Sequence, residues 1–191
     1  MRRRLSRALA ALAALLALAG PCEAVAEVPA EKQAIIILRI LAYDHALADR
    51  AGASVKLAVV HGESAAALAC ASRMRAALDG LVNRVVVTGK RLEVQTMSTI
   101  GVSGHALTER GIAVIYMCRG AEIHVPAVVK AARSARVLTF TDQPQYLAHG
   151  LSIALSEDRA RVGILVNLVA ARAEGARLAG QLLRLSKVVA R

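Results

Sequence analysis

Three short runs in this chain are apolar at nearly every position, and a helix-like stretch follows the first and precedes the last. VKLAVVH at 55–61, IAVIYM at 112–117 and VLTFT at 137–141 lack the strict alternation of a strand with one wet face. Strands of that kind are buried on both sides, which calls for a parallel or mixed sheet covered by helices. Residues 64–81 are alanine-rich, with Ala67, Cys70, Met74 and Leu78 along one helical line. Residues 125–135 predict a second helix, with Pro126 in the first turn, where a missing N–H does no harm. This alternation predicts an α/β fold: a single domain with a mixed, largely parallel β-sheet flanked by helices on both faces.

The remaining segments fit between these. Ile36, Ile40, Tyr43 and Leu47 share one helical face and predict a helix over 31–49. The β-prone runs 84–87 and 92–97 flank Thr88-Gly89-Lys90, a tight turn, and a short helix over 102–110 can stop on Gly111. Residues 151–155 and 162–166 bracket Ser156-Glu157-Asp158 as a hairpin, and Asn167 is placed to cap a closing helical region to Ala190, jointed at Gly175. On that helix Leu178, Leu182, Leu185 and Val189 make an apolar face. Arg177, Arg184 and Arg191 repeat every seven residues on another, with Lys187 nearby. The basic face suits either solvent or a partner, a dimer mate or a lipid surface.

The N-terminus sets the compartment. Arg2, Arg3, Arg4 and Arg7 precede 12 residues, 8–19, made only of Ala and Leu, and Ala24-Val25-Ala26 offers the small-x-small pattern of a signal-peptidase site. That run is short of the roughly 20 residues a membrane anchor needs. Residues 1–26 are therefore expected to be a signal peptide cleaved after Ala26, and 27–191 an exported domain. Pro21 disfavours lipidation at Cys22, and Arg3-Arg4 lacks the rest of a twin-arginine signal. Cleavage leaves 21 basic against 13 acidic residues. Outside the cytosol such an excess suits an acidic protein surface or anionic headgroups rather than nucleic acid. Tyr43, Tyr116, Tyr146 and Phe140 are the aromatic residues, too few for a base-stacking surface.

Two cysteines remain after cleavage, Cys70 and Cys118. In an oxidising compartment a disulfide is the natural hypothesis for such a pair, closing a loop of about 48 residues and adding roughly 3–4 kcal/mol if the geometry allows. Catalytic patterns are missing. Gly89-Lys90 lacks phosphate-loop spacing, Ser103-Gly104-His105 is not a nucleophile elbow, and Glu157-Asp158 belongs to a turn. His45, His61, His105, His124 and His149 are too scattered for a ligand set. Neither an enzyme nor a metal or cofactor is expected. A small-ligand receptor related to solute-binding proteins stays open, with a pocket at strand C-terminal ends near His61, Arg119 and Asp142.

The stretch GILVNLVAARAEGARLAGQLLRLSKVV resembles the end of the YfiR family of periplasmic regulators. Its strand ends in Asn167-Leu168; a helical piece Ala170-Ala171-Arg172 follows, then a joint at Gly175 and a Leu182-Leu183-x-Leu185 helix. The order of the earlier elements agrees, although an aromatic-rich segment common after the family's first helix is replaced by Tyr43-Asp44-His45-Ala46-Leu47, and Thr141-Asp142-Gln143-Pro144 stands where a glycine-rich loop is usual. The resemblance implies a non-enzymatic regulator that binds the periplasmic part of an inner-membrane diguanylate cyclase or sensor kinase and holds cyclic di-GMP output low. A homodimer and peripheral membrane contact are compatible with it. Arg177, Arg184, Lys187 and Arg191 are the expected partner face.

Overall fold

A computed structural model describes residues 28–158 and 161–190. The leader and its cleavage site lie outside the described residues. The chain runs α1 (Ala30–Leu41), α2 (Leu47–Arg50), β1 (Ser54–His61), α3 (Ala65–Val82), β2 (Val86–Val87), β3 (Lys90–Ser98), α4 (Gly104–Glu109) and β4 (Ile112–Met117). It continues through α5 (Val125–Ala135), β5 (Leu138–Thr141), β6 (Ile153–Asp158), β7 (Arg161–Asn167), α6 (Leu168–Ala173), α7 (Gly180–Leu185) and β8 (Lys187–Ala190). The eight strands form one sheet in the order β2-β3-β1-β4-β5-β6-β7-β8. Neighbours from β3 through β6 are parallel, β2 and β7 run antiparallel to β3 and β6, and β8 is parallel to β7.

All six residues of β4 are buried, as a central strand between β1 and β5 requires. Alternate side chains feed two layers. Leu57, Val59, Tyr116 and Phe140 join the core that holds Ile37 and Leu41 of α1 and Met74 and Leu78 of α3. Ala58, Val60, Ile115 and Met117 pack with Leu107 of α4 and with Val125, Val128 and Ala132 of α5. Each large side chain buried this way contributes about 1.5–3 kcal/mol relative to exposure. Helix starts follow local chemistry: the Ser64, Ser103 and Asn167 side chains accept from the N–H of Ala67, Ala106 and Ala170 at 3.2, 3.1 and 3.0 Å, caps worth about 1 kcal/mol each. Thr88 and Gly89 both take positive φ, 50° and 81°, the turn that matches strand twist in a two-residue hairpin.

Two expectations are corrected. The helix over 31–49 breaks after Leu41 and resumes as α2, because Asp44 turns inward to serve as a buried acceptor. The closing helix to Ala190 does not form. The chain leaves α6 at Gly175 with φ +79°, pairs Leu178 with Asp44 in an isolated bridge, makes only α7, and then lays β8 along β7. The outer edge of β7 supplies unpaired N–H and C=O groups, and the β-branched Val188-Val189 suit a strand better than a helix. The single apolar face disappears with the helix: Leu182 is buried, whereas Leu185 is 71% exposed.

Candidate functional site

The order β3-β1-β4 sends the chain in opposite directions from two adjacent strands. β1 leads into α3 on one face, and β4 leads into α5 on the other. The C-terminal ends of β1 and β4 therefore flank a topological switch point, where open α/β sheets place ligands. Between them the two backbones meet at two glycines. A Cβ on Gly62 would lie 3.1 Å from the Gly120 carbonyl oxygen; one on Gly120, whose φ is +74°, would lie 2.7 Å from Ser64 Oγ. The Ser64 hydroxyl donates to that same carbonyl at 3.3 Å.

On the α1–α3 side of this junction opens a cavity of about 240 Å³. Its lining combines Tyr116, Cys70 and Met74 with the charged Glu31, Arg73, Arg119 and Asp142, and with Val28, Pro29 and the start of α1. Arg119 and Asp142 are ion-paired, their side chains 19% and 4% exposed. Gln33 links two of these residues, Val28 and Tyr116. Its Nε2 donates to the Val28 carbonyl at 2.7 Å, and its Oε1 accepts from the Tyr116 hydroxyl at 2.7 Å. Burial pushes that hydroxyl well above the tyrosine range, so Tyr116 is a neutral donor here.

Cys70 on α3 and Cys118 just past β4 are both buried free thiols, and they share a hydrogen bond. That bond holds the Cys70 thiol below its ordinary value and, with burial, drives Cys118 far above it. Cys70 is thus the member that ionises first, beside Arg73 and within reach of the cavity. The expected pair is brought together.

Of the anticipated pocket residues, Arg119 and Asp142 line the cavity, but His61 does not; its Nδ1 lies 3.0 Å from the Gly62 oxygen. Arg73, Gln33 and Tyr116 were not anticipated. The periodicity of α3 marks its buried line but not what stands beside it, and Gln33 is a polar residue buried on a helix face read for its isoleucines.

The residues that carry the family resemblance lie at the other edge of the sheet. Asn167 caps α6 and donates to the Leu147 carbonyl at 3.1 Å. Leu168 and Leu183 pack partly against the core, Ala170 and Ala171 are buried, and Arg172 is exposed. A Cβ on Gly175 would lie 3.3 Å from Arg50 Cδ. The basic residues are divided: Arg177 meets Asp49 at 3.3 Å, Arg184 lies on α7, Lys187 begins β8, and Arg191 is outside the described residues. They do not share one helix face.

That edge also holds a buried carboxyl. Glu174 accepts from the Thr139 N–H at 2.9 Å, the Thr139 hydroxyl at 2.8 Å and the Ser152 hydroxyl at 2.5 Å. Burial outweighs these bonds and pushes its pKa up to about 7. Among the described residues no group of three His, Cys, Asp or Glu is placed to hold a metal ion, and no helix is long and apolar enough to cross a membrane.

Solved structures share the fold at low identity. A conserved domain protein from Vibrio cholerae aligns with TM-score 0.60 and 16% identity, over 84% of this chain and 60% of that one. The ABC domain in complex with L-Trp from Streptococcus pneumoniae aligns with TM-score 0.58 and 11% identity, again over 84% and 60%. The ligand-free, open form of a substrate-binding protein with adhesive properties from Clostridium difficile gives 0.54 and 13%, over 76% and 57%. The chain thus spans about 60% of the length of these neighbours, and at such identities the likeness is one of fold alone. No curated protein matches the chain. A family model does, over residues 30–187, from the first turn of α1 to the first residue of β8. By that match the chain belongs to the YfiR/HmsC-like family of periplasmic regulators.

Proposed function

We propose that this protein is a non-enzymatic periplasmic repressor that binds the periplasmic part of an inner-membrane signalling protein, a diguanylate cyclase, and lowers cyclic di-GMP output. The observation that carries this reading is the family match over residues 30–187. Repression of this kind requires tighter binding to the inactive receptor than to the active one; moving that balance from 1:99 to 99:1 takes about 5.5 kcal/mol. Arg184 and Lys187 are exposed and offer positive charge to an acidic partner. The experiment is in-cell crosslinking with the tagged protein, read by mass spectrometry, alongside cyclic di-GMP measurement in a deletion strain. Recovery of one cyclase and a rise in cyclic di-GMP on deletion are expected. Unchanged cyclic di-GMP with no membrane protein recovered overturns the reading.

A second reading, that the protein is a small-ligand receptor, is supported by the cavity at the switch point and by a fold shared with a substrate-binding protein. The two combine if a ligand alters partner affinity. Cys70 and Cys118 add a redox input to the same region, since their adjacent thiols can close a disulfide beside the cavity. Non-reducing mass mapping of protein taken from the periplasm is expected to show the linked peptides; two free thiols there remove the redox input.

A further inference from the structure

We propose that two copies of this chain pair edge to edge through the outer side of β3, antiparallel about Thr96, joining their sheets into one. The hairpin strand β2 covers only the start of β3, opposite Lys90 and Arg91. From Leu92 to Ser98 the strand has β1 on its inner side and, among the described residues, no backbone partner on its outer side. Val87 and Lys90 flank the two-residue turn Thr88-Gly89 and form its hydrogen-bonded pair, so the backbone groups of Lys90 face outward. Backbone groups alternate sides along a strand, and those of Leu92, Val94 and Thr96 therefore point outward too. Such a row is a template for another strand, and β3 has neither a proline nor a bulge to turn one away.

What flanks the open stretch selects a second copy as its occupant. Val86 on β2 is 64% exposed at one end, and Ile100, just past β3, is 78% exposed at the other. A two-fold axis through Thr96 sets Val94 opposite Ser98 of the second copy and Val86 of each chain beside Ile100 of the other, a self-complementary contact made twice. Other centres fail. Pairing about Val94 would lay β2 of one copy on Met97 and Ser98 of the other, and pairing about Gln95 would lay it on Thr99 and Ile100. About Thr96, β2 passes beyond the strand, where the chain has left it for the 3-10 turn Thr99–Gly101. The same axis brings the two α3 helices together. α3 lies over β1 and β3, and α1 flanks it on the β4 side, where Gln33 meets Tyr116. The opposite side of α3 carries Leu68, 46% exposed, with Ser72 and the Arg75–Asp79 ion pair. With strands about 4.8 Å apart, the two helices come to about 10 Å, a helix-packing distance.

The test is sedimentation of the purified protein over a range of concentrations, and a dimer is expected. Ile100→Asp and Val86→Asp, at positions exposed in a single copy, should each raise the dissociation constant about tenfold or more, since each buries an unpaired charge at the contact. Ile123→Asp, at an exposed position past β4 and away from β3, should leave it unchanged. Parent-like circular dichroism establishes that the aspartate variants fold. Thr96→Cys places two thiols across the axis, on Cα atoms about 5.5 Å apart and within disulfide reach. Oxidation should link that variant into a covalent dimer and leave the parent unlinked, because Cys70 and Cys118 are buried. A monomer at every concentration overturns the proposal. A dimer that keeps its affinity in Ile100→Asp and Val86→Asp, or that leaves Thr96→Cys unlinked, is built on another surface and overturns the β3 pairing.

Discussion

The two edges of the sheet are built by different rules. At the edge where β1, β4 and β5 begin, buried charges are tied down. Asp44, 1% exposed, pairs with Arg50 and accepts from the Ala46 and Arg177 N–H groups at 3.0 and 2.8 Å. Arg50 also donates to the carbonyls of Ala113 and Arg136. Lys90 Nζ serves the carbonyls of Ala48, Ala51 and Gly52 at 2.6–2.7 Å, and Glu174 joins β5 to the start of β6. At the edge where the strands end there is a cavity. Two isoleucines stand out in the turns after β3 and β4, Ile100 at 78% and Ile123 at 86% exposed. Polar residues at the first edge close the fold, and polar residues at the second line an opening. Changes at the first should therefore act on stability, and changes at the second on binding.

The largest effect is expected at the closed edge. Asp44→Ala leaves Arg50 buried without its counter-charge and should cost about 3–5 kcal/mol in a urea or thermal melt; a loss under about 1 kcal/mol would erase the contrast between the edges. Next comes pH. The folded Glu174 holds its proton up to about pH 7, against 4.5 for the ordinary carboxyl. Between those values the folded chain binds more protons than the unfolded one, so stability falls as pH rises through the window. The benefit is complete below pH 4.5, is gone above 7, and amounts to about 3 kcal/mol. Glu174→Gln should flatten that slope, and a slope of the same size in the variant would assign it to another group.

At the open edge, Gly120→Ala is an intermediate case. The residue must take φ +74° with a Cβ only 2.7 Å from Ser64 Oγ, which predicts a loss of about 1–3 kcal/mol; an unchanged melt would mean that the glycine junction yields. Arg73→Ala should change stability least, by less than about 0.5 kcal/mol, because its side chain is exposed. A large loss there would place Arg73 among the residues that close the fold.

How much of this was legible in the sequence follows the same division. Elements set by local pattern came through: the apolar run of β4, the buried line Ala67, Cys70, Met74 and Leu78 of α3, Pro126 in the first turn of α5, and the stop at Gly111. The family resemblance was carried by Asn167, Gly175 and the leucines after them, residues that serve the closed edge. Its central parts were not legible. Asp44 meets the Arg177 N–H across 133 residues, and Glu174 meets Thr139 across 35; no periodicity marks such a partner. The closing helix failed for a related reason, since Leu178, Leu182, Leu185 and Val189 satisfy helical spacing while the unpaired edge of β7 is visible only once the sheet is assembled. Arg119 and Asp142 were found because strand ends are readable. Arg73 was missed because a polar residue on an amphipathic helix looks the same whether it faces water or a cavity.

The bond between Asp44 and Arg177 also bears on timing. Asp44, in the turn after the first helix, finds Ala46 and Arg50 nearby but its third donor only at Arg177, and the strand β8 comes later still. Long-range closures of this kind slow folding and keep early intermediates loose. An emerging chain therefore carries a buried-charge site half made, and commits to its final shape only when its C-terminus arrives.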